Sequence, residues 1–219
     1  LVNLDGTPRH TIYGSTPYAG DKWAEVKSIN QELTLLGPTL LSLQWLGAKS
    51  WIEIPVSTPN WGNKIASVTT KSMSGVSDDI AFVETSRFLC GTTTYFMIVN
   101  RRTDPGEWDP EYDEWIREPD TRDITLTWNL GTGTYELTDV ASGNIWIVNG
   151  NGGTMTLRLE PGDASLFKLS PHTPWTNKTF AGTEVIRVCP TATLSVPTNA
   201  VLNNLYHIHV DPNATLAIN

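Results

Sequence analysis

The strongest constraint on the fold is a run of strand-like segments over residues 90–170. Residues 94–100 (Thr-Tyr-Phe-Met-Ile-Val-Asn), 124–130 (Ile-Thr-Leu-Thr-Trp-Asn-Leu), 134–140 (Thr-Tyr-Glu-Leu-Thr-Asp-Val), 144–148 (Asn-Ile-Trp-Ile-Val), 155–160 (Met-Thr-Leu-Arg-Leu-Glu) and 164–170 (Ala-Ser-Leu-Phe-Lys-Leu-Ser) are rich in β-branched and aromatic residues, and most alternate apolar with polar. Turn clusters at 131–133, 141–143, 149–153 and 161–163 separate them. One buried face per strand, with turns at this spacing, predicts an antiparallel β-sandwich. Further β-like runs lie at 51–56, 64–70 and 80–85, and Pro55 puts the first of these at an edge.

The flanks read differently. Residues 1–20 are loop-like, broken by Gly6, Pro8, Gly14, Pro17 and Gly20. An amphipathic helix follows, with Asp21 as its N-cap, an apolar stripe of Trp23, Val26, Ile29, Leu33 and Leu36, and Gly37-Pro38 as its stop. The apolar run at 40–46 predicts one or two more helical turns. Beyond Ser170, Pro171 and Pro174 mark a linker, and residues 194–202 align with 208–216 at an offset of 14 residues, Leu194 to Ile208. Short strands at a fixed period resemble coils of a β-solenoid, and two coils are fewer than the roughly three such a stack needs. Either more repeats follow, or the strands pack on the sandwich. The fold expected is mainly β: an antiparallel β-sandwich over 51–170, an N-terminal amphipathic helix within 1–50, and a short repetitive β tail over 171–219.

Charge narrows the partners. A formal charge of −8, with only 15 Lys and Arg, argues against nucleic acid and against an anionic membrane surface. No run approaches the roughly 18 apolar residues of a membrane span. A neutral polysaccharide or oligosaccharide meets no such penalty. Cys90 and Cys189 are far apart and fit no metal-ligand spacing, so they are either two buried thiols or one disulfide tying tail to sandwich.

No nucleophile elbow, P-loop, dinucleotide fingerprint or zincin motif is present, and no cofactor is expected. His207 and His209 fall on one strand face, but a metal site needs a third ligand that the sequence does not supply, so none is expected. The acidic stretch 101–123 carries hard oxygen ligands, among them Asp104, Glu107, Asp109 and Asp113, in a spacing that fits no EF-hand; a solvated charged loop is the preferred reading.

Two stretches resemble a known family. Residues 26–43 read Val-Lys-Ser-Ile-Asn-Gln-Glu-Leu-Thr-Leu-Leu-Gly-Pro-Thr-Leu-Leu-Ser-Leu, which looks like the last barrel helix of bacterial TIM-barrel glycoside hydrolases. The Val-Asn-Arg of 99–101, the Tyr-x-Leu-x-Asp-x-x-Ser-Gly of 135–143 and the Leu-Glu-Pro-Gly-Asp-x-x-Leu-Phe-Lys-Leu of 159–169 resemble the C-terminal β-sandwich that follows that barrel. The likeness covers about residues 20–170. It implies a secreted bacterial protein, extracellular or at the cell surface, whose sandwich supports an upstream catalytic barrel without itself being catalytic. The paired carboxyls of glycoside hydrolysis sit on earlier barrel strands, so no catalytic residue is assigned to this chain.

Sugar binding needs an accessible aromatic face with polar groups around it. Trp61, Trp108, Trp115 and Trp175 lie in loop-like context and are the candidates, whereas Trp23, Trp128 and Trp146 sit in regular patterns and read as core. Two rival readings share these features: a stand-alone carbohydrate-binding module, and a structural or adhesive surface domain.

Overall fold

A computed structural model describes residues 17–52, 56–57, 61–104, 106–109, 114–117 and 119–218. The chain divides into two compact units, residues 1–42 and 43–219.

In the first unit, α1 (Pro17–Ser42) starts a turn before Asp21 and runs straight through Gly37-Pro38. Pro38 removes one i→i−4 bond without ending the helix. The end comes at Ser42, whose hydroxyl donates back to the Thr39 carbonyl at 2.7 Å. The expected stop was therefore read four residues early. Residues 44–46, expected to be helical, open a strand instead. Within the predicted stripe Ile29 is 54% exposed and Leu33 56%, and Leu36 is half-buried; the side chains of Trp23 and Val26 lie outside the described residues.

The second unit is built from β1 (Gln44–Ser50), β2 (Val56–Ser57), β3 (Ile65–Lys71), β4 (Val83–Cys90), β5 (Thr93–Asn100), β6 (Glu107–Asp109), β7 (Glu114–Arg117), β8 (Arg122–Asp139), β9 (Ile145–Leu159) and β10 (Ala164–Pro171). The tail adds β11 (Asn177–Thr179), β12 (Val185–Val188), β13 (Thr193–Val196), β14 (Val201–Asn203), β15 (His207–Val210) and β16 (Thr215–Ile218).

The mainly β, sandwich architecture holds, but two of the predicted turns are not turns. Residues 131–133 and 149–153 lie inside β8 and β9, which pair as one long antiparallel ribbon. Its register jumps from Asn129↔Asn151 to Thr134↔Asn149, leaving residues 130–133 opposite Gly150. Gly131 and Gly133 take positive φ there, at 104° and 112°. A Cβ on Gly150 would fall 2.3 Å from the Tyr135 ring and 2.4 Å from the Gly131 carbonyl oxygen, so only glycine fits. A bulge of this kind bends the ribbon.

Either side of the bend the ribbon has different neighbours. Its first half (residues 122–129 of β8) pairs with β3, and its second half (residues 135–139) pairs with β10. β10 leads on through β5, β4 and β1 to β2, all antiparallel. Ile65, Ile124, Leu126, Trp128 and Met155 from one half share a core with Val83, Phe96, Ile98, Leu137 and Phe167 from the other. Asn100, fully buried at the end of β5, locks the edge of this core: its amide donates to the carbonyls of Asp120, Leu159 and Glu160.

The tail packs on the sandwich by parallel pairing. β12 aligns with β9 (Ile186↔Ile145, Val188↔Ile147) on one edge and with β15 on the other (Ile186↔Ile208). β11 pairs with β14 and β13 with β16, also in parallel, so the tail is two stacked three-strand coils. Their period is 22 residues on two faces, Val185 to His207 and Thr193 to Thr215, and 24 on the third, Asn177 to Val201. The 14-residue offset had matched β13 with β15, two different faces of the stack. Residues 185–196 (Val-Ile-Arg-Val-Cys-Pro-Thr-Ala-Thr-Leu-Ser-Val) and 207–218 (His-Ile-His-Val-Asp-Pro-Asn-Ala-Thr-Leu-Ala-Ile) show the true repeat. Backbone geometry repeats with it: Thr191 and Asn213 have φ of 65° and 64°, and Gly182 and Asn204 both have positive φ.

Candidate functional site

Two of the four candidate tryptophans do not present a ring face. Trp61 is 1% exposed and packs edge-on to Phe96, which in turn meets Trp128. The turn at Gly62 and Asn63, both at positive φ, precedes β3. Trp175 is 5% exposed, wedged against His172 and Phe180, with its indole N–H donated to Glu136 at 2.6 Å. A loop-like sequence context concealed both, because each is an anchor by which a connecting segment grips the core. Trp108 and Trp115 are register partners in the β6–β7 hairpin of the acidic stretch; their side chains lie outside the described residues. Trp128 is core, as expected.

The polar cluster around Glu136 is a tie between sandwich and tail. Glu136 is 8% exposed and takes bonds from His172 Nδ1 (2.8 Å), Trp175 Nε1 and Lys178 Nζ (3.1 Å). Lys178 also lies over the Trp175 ring, 4.1 Å from its centroid. Burial pushes the carboxyl up, but the His172 and Trp175 bonds and the Lys178 charge outweigh it and hold the group below the usual carboxylate range. Its donors are side chains of the linker and β11, so its work is structural.

A cleft of about 570 Å³ is lined by residues from both halves of the bent ribbon. Half-buried Trp146 of β9 is the aromatic group of its floor, backed edge to face at 5.3 Å by Phe167 of β10, which is itself fully buried. Asp123 and Arg158, cross-strand partners on β8 and β9, face each other in a two-pronged pair at 2.8 and 2.9 Å. That bond, with the Asp123 charge, raises the Arg158 guanidinium above its ordinary range. Asp139 lines the cleft while one of its oxygens accepts the backbone N–H groups of Ala141 and Ser142. Arg187 of β12 also lines it and is held by Asp211 at 3.1 Å. Ser165 and Thr156 add hydroxyls.

Arg158 is paired with Asp123 and Arg187 with Asp211, while Asp139 is held by two backbone N–H groups, so the planar groups are already fixed in geometry. An apolar floor with a few oriented polar groups, at this volume, is what small-ligand sites require. Asp123 is engaged by Arg158 and Asp139 by a turn, so both carboxylates are held in place as hydrogen-bond acceptors. The regular strand pattern around Trp146 predicts a core residue, and Trp146 does pack, half-buried, against the sandwich core while lining the cleft; its neighbours Ile145 and Ile147 point elsewhere. They turn instead to the tail, with which they form a second core alongside Ile186 and Val188. The alternation of Thr156 and Arg158 with Met155 and Leu157 was the available signal for the rim.

Among the described residues no group of three or more His, Cys, Asp or Glu could hold a metal ion, and no helix is long and apolar enough to cross a membrane. Cys90 and Cys189 are both free thiols. Compared with protein-family models, curated proteins and solved structures, the chain gives no significant match.

Proposed function

We propose that the chain is a non-catalytic accessory portion of a secreted glycoside hydrolase, and that the cleft over β8, β9, β10 and β12 holds a neutral saccharide. The observation that carries the reading is the cleft itself: the half-buried Trp146 ring, flanked by the Asp123–Arg158 pair and by Arg187, which Asp211 holds. A pyranose offers an apolar face to an aromatic ring and paired hydroxyls to planar carboxylates and guanidinium groups, and being uncharged it costs these ion pairs nothing. The exposed Ile29 and Leu33 of α1 support the accessory role, as apolar surface suited to cover by a second body, here the upstream barrel. A stand-alone carbohydrate-binding module would use the same cleft and leave α1 uncovered.

Affinity electrophoresis of the 219-residue chain through gels of neutral polysaccharides tests this directly. Retardation on at least one glycan, abolished in Arg158→Ala and weakened in Asp123→Asn, is expected. Mobility unchanged on every glycan contradicts it, as does retardation that both variants retain. Release of reducing sugar by the purified chain would contradict the non-catalytic assignment.

A further inference from the structure

The two coils of the tail have the same chemistry at equivalent positions and opposite exposure. In the first coil Ile186, Val188 and Leu194 are fully buried and Val196 is 8% exposed. Their equivalents one period later are Ile208, half-buried, Val210 at 40%, Leu216 at 38% and Ile218 at 67%. The sole difference between the sets is a covering layer: the second coil lies on the first, just as the first lies on β9. A terminal coil that closes such a stack carries a polar outer side. This one carries Val210, Leu216, Ile218 and Tyr206, the last 71% exposed. Among the described residues β14, β15 and β16 each pair with a strand on one edge alone, leaving the other edge a row of open backbone donors and acceptors.

We propose that this tip is the seat of a third coil of the same 22-residue type, laid in parallel on β14, β15 and β16. Continuity of the existing interface selects this occupant over an unrelated protein. Each step from β9 to β12 to β15 keeps one parallel register with branched apolar residues stacked at the same positions. The corners specify it further. Both coils turn at a residue in the left-handed region four positions before their inward isoleucine, Ile186 or Ile208 (Gly182, Asn204), and again five positions after it (Thr191, Asn213). A fitting coil therefore carries Gly or Asn at the first corner, Asn or Thr at the second, and Ile, Val or Leu at the four inward positions. This inference is independent of the cleft and survives failure of the saccharide reading.

The test extends the 219-residue chain with a copy of residues 198–219, which keeps the 22-residue offset, and follows amide hydrogen exchange at 207–210 and 215–218. A control extension carries Asp at its four inward positions. The expected result is exchange in β15 and β16 slowed by about tenfold or more with the native-pattern coil and unchanged with the control. Placing Val210→Asp in the extended chain should cancel the slowing, while the sandwich strands keep their protection and so report that the variant is folded. Equal exchange with both extensions overturns the proposal. So does concentration-dependent protection of 207–218 in the parent chain with doubling of its mass, which would give the tip to a second copy instead.

Discussion

Ile186 of the tail lies in parallel register with Ile145 of the sandwich strand β9. The tail is thus a continuation of the sandwich sheet rather than a separate appendage. Its inner residues, Ile186, Val188 and Leu194, share one core with Ile145 and Ile147 of the sandwich. Ile186→Ala, which opens a cavity at this junction, should cost about 2–4 kcal/mol. Hydrogen exchange should show the loss at 185–196 before it reaches 124–128.

Glu136 joins the same two parts through side chains. Removing it in Glu136→Ala strands the Trp175 indole and the Lys178 ammonium, and should destabilise the protein by about 2–4 kcal/mol; Glu136→Gln, which keeps an acceptor, should cost less. Because the folded-state pKa of Glu136 is depressed, its stabilisation is fully present above the unfolded value of about 4.3 and is lost as pH falls through the folded value. Urea melts between pH 7 and pH 3 should therefore show a steeper acid loss in the wild type than in Glu136→Gln.

Thr191 and Asn213 occupy the same corner of successive coils at nearly the same positive φ. A β-branched residue is strained there, whereas Asn tolerates it. Thr191→Asn should stabilise the chain by about 0.5–1 kcal/mol, read as a higher denaturation midpoint with an unchanged slope.

The two thiols should differ in reactivity. Burial, with the Asp211 charge adding to it and Arg187 opposing, pushes the Cys189 thiol up to about 12. Since the thiolate is the nucleophile, iodoacetamide at pH 8 should label the half-buried Cys90 and spare Cys189 until denaturant is added. Mass spectrometry counting one adduct in the native protein and two in the unfolded one checks this.

Strand content was legible in the sequence where one face of a strand is wet, as at 68–71 of β3 and 155–159 of β9, because alternation then survives. It misled where both faces are covered. The segment 145–148 serves the sandwich core with Trp146 and Val148 and the tail core with Ile145 and Ile147, so its pattern carries no sign of the cleft. Glycine clusters were ambiguous in the same way. Gly131, Gly133 and Gly150 mark a bend within a ribbon, and only the pairing of Thr134 with Asn149 distinguishes that from two turns. In the tail, the 22-residue period was in plain view as Ala-Thr-Leu at 192–194 and 214–216, but a shorter offset between neighbouring faces obscured it.

The cleft is tested at the level of a single residue by the indole N–H resonances of the nine tryptophans, followed during titration with a neutral oligosaccharide that the chain binds. The Trp146 signal should move first and saturate while Trp61 and Trp175 stay fixed, and Arg158→Ala should abolish the movement. Saturating shifts confined to Trp108 and Trp115, with Trp146 unmoved, would contradict this.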